Sequence, residues 1–225
     1  MKISISGINK RFGKDNILNN VTIDASAGEC VGILGVNGSG KSTLFNILAG
    51  ITKCDAGTAV LDGKDIFSDK KTRREMIGYI TQNPPLIEEL TAYDNLLLWY
   101  DKKTMKEQLY KNDGVLKMLG VDKFLKVRVS RMSGGMKKRL AIGCAVAHNP
   151  KILLLDEPTG ALDLVCKESI TKYLSDFKKS GGIILIATHD IQDIPLCDKM
   201  YIIKKGVSKE YTFDGSISSL TGNLL

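Results

Sequence analysis

The chain lacks any stretch of about 18 uncharged apolar residues, the minimum for a membrane-spanning helix, and its longest apolar runs, 141–147, 151–155 and 181–188, have the lengths of core strands or helices. A chain that does not itself cross a bilayer is therefore expected. The first residues, MKISISGINKRFGK, alternate apolar and polar side chains and contain no continuous apolar core. That pattern excludes a secretory signal and predicts a product that stays in the cytosol. Cysteines number only five (Cys30, Cys54, Cys144, Cys166 and Cys197) and form no CxxC pair. An odd, scattered set excludes a disulfide framework and a zinc knuckle, so each reads as a small core hydrophobe. Internal repeats and low-complexity tracts are also missing, which leaves one domain as the default.

What is present suits an α/β domain of ordinary composition: 225 residues, 43% hydrophobic and 25% charged. A formal charge of +7 suits a polyanionic ligand. The lysines fall in doublets, such as Lys70-Lys71, Lys102-Lys103 and Lys137-Lys138, and not in one stripe, so most read as solvated faces and no nucleic acid is expected. Short strands are predicted over 2–8, 21–25, 29–34 and 58–61, with Asp62-Gly63 as a turn. Helical periodicity follows over 91–120, with Thr91 and Asp94 as candidate caps, Leu96, Leu97, Trp99 and Tyr100 as an apolar face, and Gly120 as a stop. A helix over 133–147, a strand over 152–155, a helix over 165–178 and a strand over 183–187 complete the pattern. Continuous β-branched runs alternating with helices predict a parallel sheet covered on both faces.

Gly35-Val36-Asn37-Gly38-Ser39-Gly40-Lys41-Ser42-Thr43 matches GxxxxGK[ST] between a predicted strand and an apolar helix. Glycines there let backbone N–H groups converge on phosphate oxygens, and the helix start adds its positive dipole end. Lys41 is placed to bridge β- and γ-phosphates and Ser42 to hold Mg²⁺. Downstream, Ile152-Leu153-Leu154-Leu155-Asp156-Glu157 is an apolar strand ending in two acids. Asp156 is assigned to Mg²⁺ through water, and Glu157 to the general base for an attacking water. The two motifs together predict a nucleoside triphosphatase. A GTP switch is excluded, because Asn9-Lys10-Arg11-Phe12 lacks the aspartate of a base-reading NKxD and precedes the phosphate loop.

Met132-Ser133-Gly134-Gly135-Met136, followed by Lys137-Lys138-Arg139-Leu140, resembles the LSGGQ signature of the ABC ATPase family. The resemblance implies a P-loop core with a mostly parallel sheet, an N-terminal antiparallel β subdomain and a helical subdomain. Approximate boundaries are 1–85 and 150–215 for the first two and 86–149 for the third. It implies ATP and Mg²⁺ as cofactors. It also implies that Ser133, Gly134 and Gly135 complete the nucleotide site of a second ATPase subunit, in a homodimer or a heterodimer. Gln82 falls at the family's Q-loop, which reaches Mg²⁺ and the attacking water. Ala161-Leu162-Asp163 is similar to its D-loop, and Thr188-His189-Asp190 to the segment whose histidine contacts the γ-phosphate. Phe12 matches the aromatic that stacks on adenine, where tyrosine is commoner. His148 matches no catalytic position and reads as a residue at a helix C-terminus. Departures are Met132 for Leu and Met136 for Gln, which bear on the rate of hydrolysis and not on competence, and Leu164 where proline often follows the D-loop.

By resemblance the chain is an ATPase subunit held at the cytoplasmic face of the membrane by a separate permease subunit. DNA-repair relatives carry a long coiled coil or zinc module between loop and signature, and the interval from Lys41 to Ser133 has neither heptads nor Cys pairs. Ribosome-associated relatives carry two cassettes. A soluble ABC ATPase of cofactor assembly stays open as the alternative. The stretch 85–96 and the signature context are similar to exporter cassettes, and little chain follows Tyr211 to form the extra domain common in importers. Export is the direction expected.

Overall fold

The computed structural model describes residues 1–158, 162–189 and 191–224. Two sheets and a helical insert pack about two large apolar layers, with a smaller third cluster beside β9 (Lys199–Lys204). The first strands, β1 (Lys2–Phe12) and β2 (Asp15–Ser26), form a long antiparallel hairpin, and β4 (Ala56–Leu61) and β5 (Lys64–Asp65) extend it in the order β2-β1-β4-β5. These strands outrun the predicted ones because polar positions such as Asn9, Lys10 and Asn16 continue the backbone pairing beyond the apolar alternation.

The second sheet is built from β3 (Cys30–Leu34), β6 (Ile77–Ile80), β7 (Ile152–Asp156), β8 (Ile183–Thr188), β9 (Lys199–Lys204) and β10 (Val207–Tyr211). Its order is β10-β9-β3-β8-β7-β6, parallel throughout except for the antiparallel edge strand β10. Every residue of β3, β7 and β8 is buried, as a sheet covered on both faces requires. Side-chain alternation assigns the two faces. Ile152, Leu154, Ile183 and Leu185 pack with Leu44 and Phe45 of α1 (Lys41–Ala49) and with Ile3 and Ile5 of the antiparallel sheet. Leu153, Leu155, Ile184 and Ile186 pack with Leu140 and Ile142 of α6 (Gly134–Ala145) and with Ile170 and Leu174 of α7 (Leu164–Lys179).

α2 (Lys70–Met76) precedes β6, and α3 (Ala92–Leu97), α4 (Lys102–Tyr110), α5 (Val115–Met118) and α6 lie between β6 and β7. The single periodic run expected over 91–120 is thus three short helices. The first ends at Leu97, and Asp101 starts the second: its carboxylate accepts from Lys103 N and Thr104 N, an N-cap inside the apparent period. Thr91 is the cap of α3, and Asp94 is its capping-box partner instead of a second cap. Trp99 does not join the apolar face, being 59% exposed. Gly120 does stop the run, with φ at 66°. Cys30, Cys144 and Cys166 are core residues, whereas Cys54 and Cys197 are only partly buried. His148 lies just past the end of α6, with Nε2 3.1 Å from Ile77 O. A last helix, α8 (Ile217–Leu224), packs Leu220 beside Ile202 and Met200 of β9. Among the described residues, no helix is long and apolar enough to cross a membrane.

Because Leu154 is fully buried at the centre of the inner layer, Leu154→Ala should cost about 2–5 kcal/mol. Urea unfolding followed by circular dichroism measures it, and an unchanged midpoint would contradict this packing.

Candidate functional site

The carboxyl end of β3 leads into the phosphate loop. Gly38 (φ 80°) and Gly40 (φ 106°) take left-handed conformations that favour glycine. At Gly40 a Cβ would also stand 2.6 Å from Leu18 Cδ2 and 3.0 Å from Ile17 O, so the loop is pressed against β2 where it enters α1. No side chain caps α1 and no acid occupies its first turn, which leaves its first N–H groups to an anion. Ser39 Oγ is buried without a hydrogen-bond partner in the structure, a polar atom suited to a phosphate oxygen. Lys41 is buried, and its Nζ donates to Gly35 O (2.7 Å) and Val36 O (3.1 Å). Burial pushes its ammonium below the ordinary lysine pKa, against the opposing pull of Glu157 and Asp156.

β7 delivers both acids beside that loop. Asp156 is buried, and the Ser42 hydroxyl acts on its carboxyl. Burial raises its carboxyl above the usual range and Glu157 adds to the rise, while Ser42, Lys41 and Lys138 oppose it. Glu157 adopts φ 50°, a left-handed conformation uncommon for a side chain of this kind. Both of its carboxylate oxygens are engaged: Gln82 Nε2 donates to Oε2 at 2.7 Å, and His189 Nδ1 lies 2.7 Å from Oε1. Three chain-distant segments, the ends of β6, β7 and β8, therefore meet at one carboxylate.

Phe12, at the end of β1, is half exposed. Lys10 Nζ stands 5.1 Å from the centroid of its ring and 2.9 Å from Asp55 Oδ1, and Asp55 Oδ2 accepts from Arg11 N at 2.7 Å. These bonds, that from Lys10 foremost, hold the Asp55 carboxyl below the usual range. The hairpin tip is thereby tied to the start of β4. Phe12, Ile17, Asn37, Gly38, Gly40, Lys41, Ser42, Thr43, Gln82 and Glu157 line one cleft of about 420 Å³. Ser42 hydroxyl, Asp156 carboxylate and the Gln82 side-chain amide are oxygen donors of the kind a hard cation shared with phosphates takes, so the residues present fit Mg²⁺.

Ser133, Gly134 and Gly135 do not line this cleft. Ser133 caps α6, accepting from Met136 N at 3.2 Å, and it and Gly134 are exposed. Gly135 is buried where a Cβ would come within 2.5 Å of Cys166 Sγ and 3.6 Å of Asp163 Oδ2. Asp163 caps α7 through Cys166 N at 2.9 Å, and that bond leads the fall of its carboxyl pKa. The signature and Asp163 are thus neighbours within one chain, away from its own phosphate loop. Ala161 and Asp190 lie outside the described residues.

Sequence reasoning missed four residues here: Lys10 and Asp55, which hold Phe12; Ile17, which lines the cleft; and Lys138. The doublet Lys137-Lys138 reads as a solvated face, yet only Lys137 is on the surface, paired with Glu88 at 2.8 Å, and Lys138 is 6% exposed. Its position one turn after Ser133, among apolar Leu140 and Ala141, is the one signal that could have marked it.

The family model for ABC transporters matches residues 18–160. The chain is 35% identical over 215 residues to the methionine import ATP-binding protein MetN of Clostridioides difficile (strain 630), a match that covers 91% of this chain and 66% of that protein. It is 32% identical over 230 residues to the lantibiotic transport ATP-binding protein SrtF of Streptococcus pyogenes, covering 98% of this chain and 96% of that one. Among solved structures, it is similar to an ATP-binding cassette captured as a dimer in a post-hydrolysis state with ADP and Pi. That likeness has a TM-score of 0.80 and 29% identity, over 94% of this chain and 100% of the other.

Gly40→Ala should lower affinity for a nucleoside triphosphate at least about tenfold, since loop N–H groups must stay aligned for charge-assisted bonds to phosphate. Titration with a fluorescent ATP analogue checks it, and parental affinity would contradict the tight approach to β2.

Proposed function

The chain belongs to the ABC transporter family, as an ATP-binding subunit of a class that hydrolyses ATP to drive transport, and on that premise we propose how its residues do so. Lys41 exchanges the carbonyls of Gly35 and Val36 for the β- and γ-phosphates of ATP, with the N–H groups of 38–43 and the dipole of α1 gathering the remaining charge. Phe12, steadied by Lys10 and Asp55, stacks on adenine with its exposed face. Ser42, Gln82 and, through water, Asp156 would hold Mg²⁺, which would supply positive charge to offset that of the phosphates. Glu157 takes a proton from the attacking water. For that it frees one carboxylate oxygen from Gln82 or His189, and the partner released becomes available to orient the water or contact the γ-phosphate.

Two copies, or one copy and a similar subunit, close head to tail so that Ser133, Gly134 and Gly135 of each reach the nucleotide held by the other. The observation that carries this reading is that Ser133 and Gly134 stand exposed at the start of α6, outside the cleft formed by the chain's own loop and acids. Asp163, touching the signature helix through Cys166, links the two sites. The helices within 86–149 act as a subdomain that moves against the core formed by 1–85 and 150–215.

A separate integral membrane permease receives this motion, holding the chain at the cytoplasmic face of the membrane. An apolar groove beside Gln82, formed by Tyr79, Ile80, Pro84, Leu86, Trp99 and Ala141, offers it a seat, and the exposed Trp99 finds its use there. Export is the direction proposed, on the exporter-like stretch 85–96 and the signature context.

Glu157→Gln should bind ATP as tightly as the parent, lose at least about a hundredfold in turnover, and accumulate a closed dimer visible by size-exclusion chromatography with ATP. Parental turnover would remove Glu157 as the base. Lys41→Ala should lose nucleotide affinity, and an unchanged binding isotherm would count against the phosphate-loop assignment.

A further inference from the structure

Lys138 is a buried cation with no part in the reaction as described above. It stands one turn into α6, the helix whose exposed start is Ser133, yet only 6% of it is accessible. Burying an ammonium is costly unless its surroundings supply oxygens. Its Nζ donates to Thr81 O at 3.3 Å and to Asp156 O at 3.4 Å. Both contacts exceed the usual N–H···O range, so the charge is shared between two carbonyls and is not locked to one. Burial pushes the ammonium below the ordinary lysine pKa, and Asp156, Glu157 and Asp193 pull against that shift.

The two carbonyls are not arbitrary. Thr81 O belongs to the peptide unit just before Gln82, and Asp156 O to the unit just before Glu157, whose side chains meet at 2.7 Å. The peptide unit before Glu157 is gripped at both ends, since Glu157 N donates to Ala187 O at 2.9 Å while Asp156 O accepts from Lys138. Glu157 needs that grip. A left-handed φ of 50° at a side-chain-bearing residue is a strain that persists only where neighbours over-determine it.

We propose that Lys138 is a positioning residue: its ammonium fixes the backbone that aims Gln82 and Glu157, and ties that pair to the helix bearing Ser133. A shift of the signature helix is then felt at the hydrolytic carboxylate through one side chain. The inference rests on the reading of Glu157 as the base.

Three variants test it in the full chain with MgATP as the probe. Lys138→Met keeps the apolar stem and removes the ammonium; its kcat should fall about ten- to a hundredfold, as expected of groups misplaced by a fraction of an ångström, with KM for ATP within about twofold of the parent. Lys138→Arg and Lys138→Gln each keep donors for the carbonyls and should recover part of kcat; Lys138→Gln decides the matter if the Met variant does not fold. A parental kcat in Lys138→Met, a KM that rises while kcat holds, or no recovery in either donor-bearing variant would overturn the proposal. Glu157→Gln is assayed alongside. If it turns over at the parental rate, the base assignment has failed; if it is inactive while Lys138→Met is parental, this inference alone has failed.

Discussion

Parallel pairing of β3, β8, β7 and β6 is the constraint on which the remaining structure depends. The register places Leu34 beside Thr188, Asp156 beside Ala187 and Leu155 beside Ile80, so four strands end at one edge. Four loops leave that edge together, bringing the phosphate loop, His189, Glu157 and Gln82 within reach of one another, although 154 positions separate Gly35 from His189 in the sequence. Sites at the carboxyl edge of a parallel sheet arise in this way. The sheet holds this order because it is dry on both faces: alternate residues of β7 and β8 feed two separate apolar layers, and a register slip by one residue would exchange them.

At that edge the charges are arranged around one carboxylate. Glu157 sits in a backbone conformation costing roughly 1–3 kcal/mol, with both oxygens occupied by Gln82 and His189. Lys41 satisfies itself on the carbonyls of its own loop. On the proposed mechanism, each of these bonds is one that a triphosphate and a water replace. Lys138 reaches the backbone carbonyls of Thr81 and Asp156, next to the same carboxylate.

The site-bearing motifs were legible because each compresses its chemistry into adjacent residues: glycines before Lys41, acids after an apolar strand, a histidine after another. The parallel sheet was legible for the same reason, since a strand dry on both faces is an unbroken apolar run. Other features depend on contacts that a linear pattern does not record. Asp101 breaks a helical period that Leu96 and Tyr100 otherwise sustain, because a cap and a solvated acid look alike in sequence. Trp99 shares the spacing of its buried neighbours but faces out. Lys138 looks like Lys137 until the fold turns one toward Glu88 and the other toward the carbonyls of Thr81 and Asp156. Lys10 and Asp55 pair across β1 and β4, a contact set by sheet register alone.

The cleft lies on one surface of the chain and the exposed start of α6 outside it, and the central claim is that the two meet only between chains. Two single-cysteine chains put it to the test most directly, one Asn37→Cys and one Gly134→Cys, each with the five native cysteines replaced by alanine. Mixed and treated with a short thiol cross-linker, they should yield a covalent dimer of twice 24.6 kDa in the presence of ATP and little without it. A mixture that stays monomeric with ATP bound would contradict a site shared between two copies of this chain.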